Sequence, residues 1–221
     1  MKVLNLSVPE GLYVGYDGNN WLQGNKTLIE NSKFIYDDSL KLYKATIDAS
    51  EIVFNEIDNG GEKFNIGYYK VYYVKSDGNV VSDSIPILKS ALSQNNIKIY
   101  LYLNKLENGK GVGVGDDTKL NMSWYAAGTF NNWTPAKMNK VNDYFEIEID
   151  KAYNKGDNIE YKIPASNNWK PWQMIFNGEV YSDSSQNQIY TFQNDINGFK
   201  MKFYPLISYV EIEEIKAGDS Q

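Results

Sequence analysis

The segment Tyr144-Phe145-Glu146-Ile147-Glu148-Ile149 decides the fold class of this 221-residue chain. Apolar and acidic side chains alternate along it, with the two-residue period of a strand that buries one face and exposes the other. The segment Tyr209-Val210-Glu211-Ile212-Glu213 has the same alternation. Both segments therefore predict half-buried β-strands.

Short runs of β-branched and aromatic residues continue outward from these segments over nearly the whole chain. Glycine, asparagine and aspartate separate them at a spacing of roughly 8–12 residues, which is typical of β-sandwiches. The sequence predicts an all-β fold of two tandem immunoglobulin-like antiparallel β-sandwich modules. The predicted strands are 12–16, 42–48, 51–55, 68–75, 97–103, 120–126, 144–150, 159–163, 174–176, 188–193, 198–204 and 207–215.

Two turn-rich stretches organise the chain. Ser76–Pro86 is polar and predicts a boundary between a module at residues 1–85 and a module at residues 86–221. Glu107–Lys119 predicts a long, flexible hairpin loop within the second module. Its Gly-x-Gly-x-Gly run lacks the Lys-Ser/Thr ending and the following helix of a phosphate-binding loop.

The composition excludes several classes of function. The chain has no histidine, cysteine or arginine, which removes disulfides, thiolate chemistry, Ser-His-Asp catalysis and the best residue for reading guanine. The net charge of −6 argues against binding to nucleic acid or to anionic membranes. No run reaches about 18 apolar residues, so no membrane insertion is predicted. No cofactor and no metal site are predicted either.

The abundant residues favour a neutral, polar ligand. The chain has 18 tyrosines and 5 tryptophans, whose rings offer flat apolar faces, and it is rich in asparagine, whose amide both donates and accepts hydrogen bonds. An AT-rich genome would also enrich asparagine and tyrosine. The residues alone lead to a polysaccharide as the ligand class.

The strongest local signal is the segment Ala127-Gly128-Thr129-Phe130-Asn131-Asn132-Trp133-Thr134-Pro135. We expect Phe130 to point into the core and the two asparagines to form a tight turn, since asparagine tolerates left-handed backbone. Trp133 then either stands out as a stacking platform for a sugar ring or plugs the end of the module. The pattern leaves both readings open.

This segment resembles the glycogen- and starch-binding modules of carbohydrate-binding module family 48, which carry a Gly-x-Phe-Asn-x-Trp motif. In that family a lysine within a Tyr-Lys-Phe-like triplet contacts the sugar, and Lys162 of Tyr161-Lys162-Ile163 is its match. A second family tryptophan corresponds to Trp169, with Trp172 as a competitor, and a late asparagine corresponds to Asn187. The resemblance covers about residues 97–193 and implies α-glucan binding.

The N-terminal part resembles starch-binding module families 25 and 26. The strand Ile52-Val53-Phe54-Asn55 and the loop Asp58-Asn59-Gly60-Gly61 carry this likeness. It implies a binding face built from Tyr13, Tyr16 and Trp21. The alternative is that the loop is a structural turn and that these tyrosines belong to the core.

Together the two resemblances imply a non-catalytic protein that binds starch, glycogen or malto-oligosaccharides. None of the 28 acidic residues lies in a distinctive catalytic motif, so no enzyme activity is predicted. The implied setting is the extracellular or cell-surface amylolytic system of a bacterium, with amylase domains or other surface proteins of that system as partners. One alternative is a structural or adhesion protein that binds no sugar. The other is a fragment of an enzyme whose catalytic domain lies outside this chain.

Overall fold

The computed structural model of the protein describes residues 11–16, 32–74, 76–77, 80–103, 112–171, 173–174 and 187–218. These residues form seventeen strands and three 3-10 helices, at Ala49–Glu51, Lys89–Ala91 and Asp117–Asn121. Within the described ranges no helix is long and apolar enough to cross a membrane.

The first eight strands form two antiparallel sheets. The strands are β1 (Gly11–Tyr16), β2 (Ile35–Asp37), β3 (Leu42–Asp48), β4 (Asn55–Asn59), β5 (Glu62–Val74), β6 (Val80–Leu88), β7 (Asn96–Leu103) and β8 (Val112–Asp116). In one sheet β5 pairs with β1, β4 and β6, and the other has the order β2-β3-β7-β8.

The remaining nine strands form two further antiparallel sheets. They are β9 (Tyr125–Gly128), β10 (Ala136–Lys137), β11 (Asn139–Val141), β12 (Tyr144–Ile149), β13 (Asn158–Pro164), β14 (Gln173–Met174), β15 (Gln188–Thr191), β16 (Ile196–Tyr204) and β17 (Tyr209–Lys216). The first sheet has the order β10-β9-β13-β14, with β15 also paired to β13, and the second has the order β11-β12-β16-β17.

The all-β prediction is confirmed, but the prediction of two tandem immunoglobulin-like sandwiches is wrong. The described strands divide into four small antiparallel sheets of four or five strands, which resemble β-propeller blades more than the paired sheets of immunoglobulin-like modules. Alternation and turn spacing establish where strands run. They are common to sandwiches and propellers, so they do not determine how non-adjacent strands combine into sheets.

The chain divides into two compact units, which differ in extent from the predicted modules. One contains Met1–Leu103 and Asp116–Thr118, and the other contains Asn104–Gly115 and Lys119–Gln221. The predicted boundary between residues 85 and 86 falls inside β6, which pairs with β5 from Val80 to Leu88. From Val80 onward the polar stretch that suggested a boundary is part of β6, antiparallel to β5.

The core of the N-terminal unit is mainly aliphatic, with the rings of Tyr13, Phe34 and Tyr69 also buried. Ile85, Ile97 and Leu101 are fully buried, as is the ring of Tyr69. The Tyr69 hydroxyl donates to Asp116 Oδ2 at 3.1 Å, so this buried phenol has a polar partner.

The core of the C-terminal unit is aromatic. Trp124 is fully buried and meets Phe203 edge-on at 4.9 Å between ring centroids. Phe130 is 8% exposed and meets Phe199 edge-on at 5.6 Å, which confirms the predicted core position of Phe130. Phe130 belongs to the turn that carries Trp133, so this turn is anchored in the aromatic core.

The glycine-rich stretch predicted as a flexible loop contains strand β8. A Cβ atom at Gly113 would lie 2.1 Å from Ile207 O, and one at Gly115 would lie 2.2 Å from Pro205 O. The Ser208 hydroxyl also donates to Val114 O at 2.6 Å. The glycines therefore allow β8 to approach the backbone of the turn at residues 205–207, which a sequence pattern of glycines alone does not reveal.

Candidate functional site

The first element of the site is the turn that follows β9. Gly128 O accepts hydrogen bonds from the backbone N–H groups of Asn131 at 3.2 Å and Trp133 at 2.9 Å. A Cβ atom at Gly128 would lie 2.3 Å from Glu160 O, so β9 reaches β13 this closely only with glycine. The predicted tight turn is thus formed, with Asn132 in the left-handed region at a φ of 53°.

Asn131 fixes the shape of this turn with its side chain. Its Oδ1 accepts from the Gly128 N–H at 2.9 Å, and its Nδ2 donates to Ala126 O at 3.0 Å. Thr129 joins the turn to β13, since its N–H donates to Glu160 O at 3.0 Å. The backbone of the turn that carries Trp133 is therefore fixed both by the Asn131 side chain and by the hydrogen bond from Thr129 to β13.

We expect Asn131→Ala to lower the free energy of unfolding by about 2 kcal/mol, because two side-chain hydrogen bonds to the backbone are lost. Asn131→Asp keeps the Oδ1 acceptor but turns its second oxygen towards Ala126 O, so two acceptors oppose each other and this variant should lose at least as much at pH 7. Urea unfolding of the three proteins measures the difference. Equal stability of all three would contradict this role of Asn131.

The second element is the turn that follows β13. The Trp169 N–H donates to Ser166 O at 3.4 Å, and the Lys170 N–H donates to Ser166 Oγ at 2.9 Å and to Asn168 Oδ1 at 3.2 Å. Short polar side chains thus close this turn in the same way that Asn131 closes the first.

The two turns bring Trp133 and Trp169 together. Their ring centroids lie 6.3 Å apart and their planes differ by 37°, and each side chain is half-buried. Six non-glycine residues of the described ranges have positive φ, and the aromatic ones are Trp133 at 59° and Trp169 at 71°. Such a backbone costs about 1–2 kcal/mol for a bulky residue, so both rings are held where the turns place them against a local preference.

Lys162 lies on β13 with an unusual environment. Ile159, Tyr161 and Ile163 alternate into the core, which places Lys162 on the opposite face, across from Ala127 of β9. Lys162 is nevertheless only 7% exposed. Desolvation by burial lowers the pKa of its ammonium group, so the folded protein disfavours the charged form.

The Asn187 side chain is hydrogen-bonded to a residue of β13. Its Nδ2 donates to Glu160 Oε2 at 2.7 Å. Glu160 faces the same side of the sheet as Lys162, since both alternate with the buried residues of β13. The structure thus places Lys162, Glu160 and Asn187 on one sheet, whose strand ends carry the two tryptophans.

The N-terminal residues are placed differently from the expected binding face. Tyr13 is 1% exposed, and burial raises the pKa of its hydroxyl. The Tyr16 hydroxyl accepts from the Asp48 N–H at 2.9 Å and so secures β3. The ring of Tyr13 therefore belongs to the core, and Tyr16 has a structural contact. Trp21 and Trp172 lie outside the described residues.

Two residues that shape the site were not predicted. Thr129 joins the turn to β13, and Glu160 positions Asn187. Asn131 was predicted as the first asparagine of the tight turn, and its side chain closes that turn. The roles of Thr129 and Glu160 depend on the pairing of β9 with β13, which lie far apart in the chain.

Comparison with protein-family models, curated proteins and solved structures finds no match for this chain. The likeness to starch-binding modules therefore depends on the motifs themselves. No group of three or more acidic residues within the described ranges is arranged to hold a metal ion.

Proposed function

We propose that this chain binds α-glucan chains without catalysing their hydrolysis, and that Trp133 and Trp169 form the binding surface. The observation that carries this proposal is the pairing of the two rings at 6.3 Å. They come from turns about 35 residues apart, both within the stretch that resembles carbohydrate-binding module family 48. Two tryptophans that remain partly exposed at positive φ are poorly explained by packing alone.

The angle between the rings supports a curved ligand. A flat β-linked glucan is best matched by coplanar platforms, whereas planes that differ by 37° follow a chain that bends. The C–H face of a glucose ring stacked on an indole buries about 100 Å² of apolar surface, worth about 2–3 kcal/mol at most. This favours starch and glycogen, whose chains are helical, over cellulose.

The polar groups nearby suit sugar hydroxyls. Lys162 can donate and the Glu160–Asn187 pair can both accept and donate, each adding about 1 kcal/mol net. Association costs reduce the total, and a single site of this kind binds in the micromolar to millimolar range. Such a site would hold substrate for separate amylase domains at a cell surface or outside the cell.

Tryptophan fluorescence tests this proposal directly. Maltoheptaose is titrated into the protein, with xylohexaose as a matched neutral oligosaccharide, and reducing ends are measured after incubation with soluble starch. We expect saturable quenching by maltoheptaose only, and no release of reducing ends. No quenching by either sugar would favour a structural or adhesion role, and release of reducing ends would contradict a non-catalytic role.

A further inference from the structure

The outward face of β13 and β15 continues beyond the residues assigned to the site. Cross-strand register places Glu160 of β13 directly opposite Ile189 of β15, so the two side chains share one face of the sheet. Asn158 and Thr191 form the next pair on the same face. The β13 residues that alternate with Asn158 and Glu160 are buried, so this shared face points away from the core.

Ile189 is the apolar element of this face. It is 66% exposed, more than any other large hydrophobic side chain among the described residues of the C-terminal unit. A single exposed isoleucine needs no explanation by itself. This one lies directly beside the polar groups of the candidate site, where the C–H groups of a sugar could cover it and remove apolar surface from water.

Polar groups on both sides of Ile189 suit sugar hydroxyls. Glu160 Oε2 accepts from Asn187 Nδ2 at 2.7 Å, and Glu160 Oε1 has no hydrogen-bond partner within the described ranges, so it is available as an acceptor. On the other side, the Thr191 hydroxyl donates to Asn158 Oδ1 at 2.5 Å, which leaves Asn158 Nδ2 as a donor. Both Asn158 and Thr191 are exposed.

The turn that carries Trp133 reaches Glu160 from the other side of β13. The Thr129 N–H donates to Glu160 O at 3.0 Å, and the Thr129 hydroxyl accepts from the Glu160 N–H at 3.2 Å. Across the sheet the order is therefore this turn, then Glu160, then Ile189. Neighbouring strands lie about 4.8 Å apart, so Ile189 is about 10 Å from the turn. A glucan held at the tryptophans has to continue past them to cover Ile189.

We infer that the glucan site continues from the turn of Trp133 over Glu160 to Ile189, and that it takes long α-glucan chains in preference to short malto-oligosaccharides. This inference rests on the proposed function, because it extends the same site. Continuity through Thr129 identifies the occupant as the chain already held by the tryptophans. A short oligosaccharide fills the tryptophan surface alone, whereas a longer one also covers Ile189.

NMR titration with maltotriose and maltoheptaose tests this extension, with the tryptophan indole N–H signals as the readout of binding. Ile189→Ser removes the apolar side chain, and Ile189→Thr keeps the branched Cβ that suits a strand. Val53→Ser is the matched control, because Val53 is a 73% exposed aliphatic residue of the N-terminal unit. Urea unfolding of each variant shows whether its stability is unchanged.

We expect both Ile189 variants to bind maltoheptaose about fivefold more weakly and maltotriose as the wild type does, while Val53→Ser changes neither. Unchanged maltoheptaose affinity in both Ile189 variants would overturn the extension and leave the tryptophan site intact. An equal loss for the two sugars would also overturn it, because Ile189 would then act on the tryptophan surface itself. A wild type that binds neither sugar would overturn the proposed function.

Discussion

Replacing Trp133 or Trp169 by alanine is expected to weaken the binding of maltoheptaose by roughly thirtyfold. The apolar surface that each ring buries against the sugar should contribute about 2 kcal/mol to the binding free energy. The rings are adjacent, at 6.3 Å between centroids, so the loss of one should also reduce the contribution of the other. Isothermal titration calorimetry at high protein concentration measures this loss. The combined variant should bind too weakly at this site to be fitted.

Two further variants separate lost binding from lost folding. Trp133→Asn places at the φ of 59° a residue that tolerates left-handed backbone, so it should fold well and still lose binding. Tyr209→Ala removes another exposed aromatic ring of the same unit and should leave affinity unchanged. Wild-type affinity in Trp133→Asn, or an equal loss in Tyr209→Ala, would contradict the site.

Gly115→Ala is expected to destabilise the C-terminal unit by about 3 kcal/mol, the largest stability effect proposed for this chain. The new Cβ would lie 2.2 Å from Pro205 O and 2.5 Å from the carbonyl carbon and oxygen of Leu206. These are backbone atoms, so the clash is relieved only when β8 or the turn moves. Thermal and urea unfolding measure the loss.

Gly61→Ala provides the comparison for this effect. Gly61 has a φ of 86°, and a Cβ there would have no neighbour within 4 Å. Alanine at this position is therefore disfavoured only by its positive φ. This costs about 1–2 kcal/mol. A Gly115→Ala variant that is no less stable than Gly61→Ala would show that β8 does not approach the turn as described.

The strands were predictable where one face is buried and the other is solvated. Tyr144–Ile149 forms β12 as its alternation predicts, because Phe145 faces the core while Glu146 and Glu148 face away from it. The strand predicted at residues 120–126 is wrong at its start. Residues up to Asn121 form a 3-10 helix, and the Trp124 indole donates to Lys119 O within this segment.

The arrangement of sheets was not predictable from the same pattern. The alternation of β9 and β13 shows which residues are buried but not that Tyr161 lies opposite Gly128. That register depends on the close approach that Gly128 permits and on Thr129, which are tertiary contacts. The boundary predicted between residues 85 and 86 falls inside β6, because a polar stretch can form part of a strand as readily as a linker.

The residues of the candidate site were likewise predictable only where the local sequence is distinctive. Trp133 and Trp169 were predicted from the recognisable sequences of the turns on which they lie, and the structure adds that their rings are close together. Tyr13 and Tyr16 share the residue type but not the surroundings, and burial decides against Tyr13 as a stacking platform. Exposure of an aromatic ring depends on what packs over it, which the local sequence of β1 does not contain.

The most direct measurement is affinity electrophoresis of the wild type and Trp133→Ala in native gels cast with amylopectin, glycogen, xylan or no polysaccharide. Retardation of the wild type is expected in the amylopectin and glycogen gels only, and Trp133→Ala should be retarded clearly less than the wild type in both. Equal mobility of the wild type in all four gels would contradict α-glucan binding, and equal retardation of both proteins would contradict the tryptophan site.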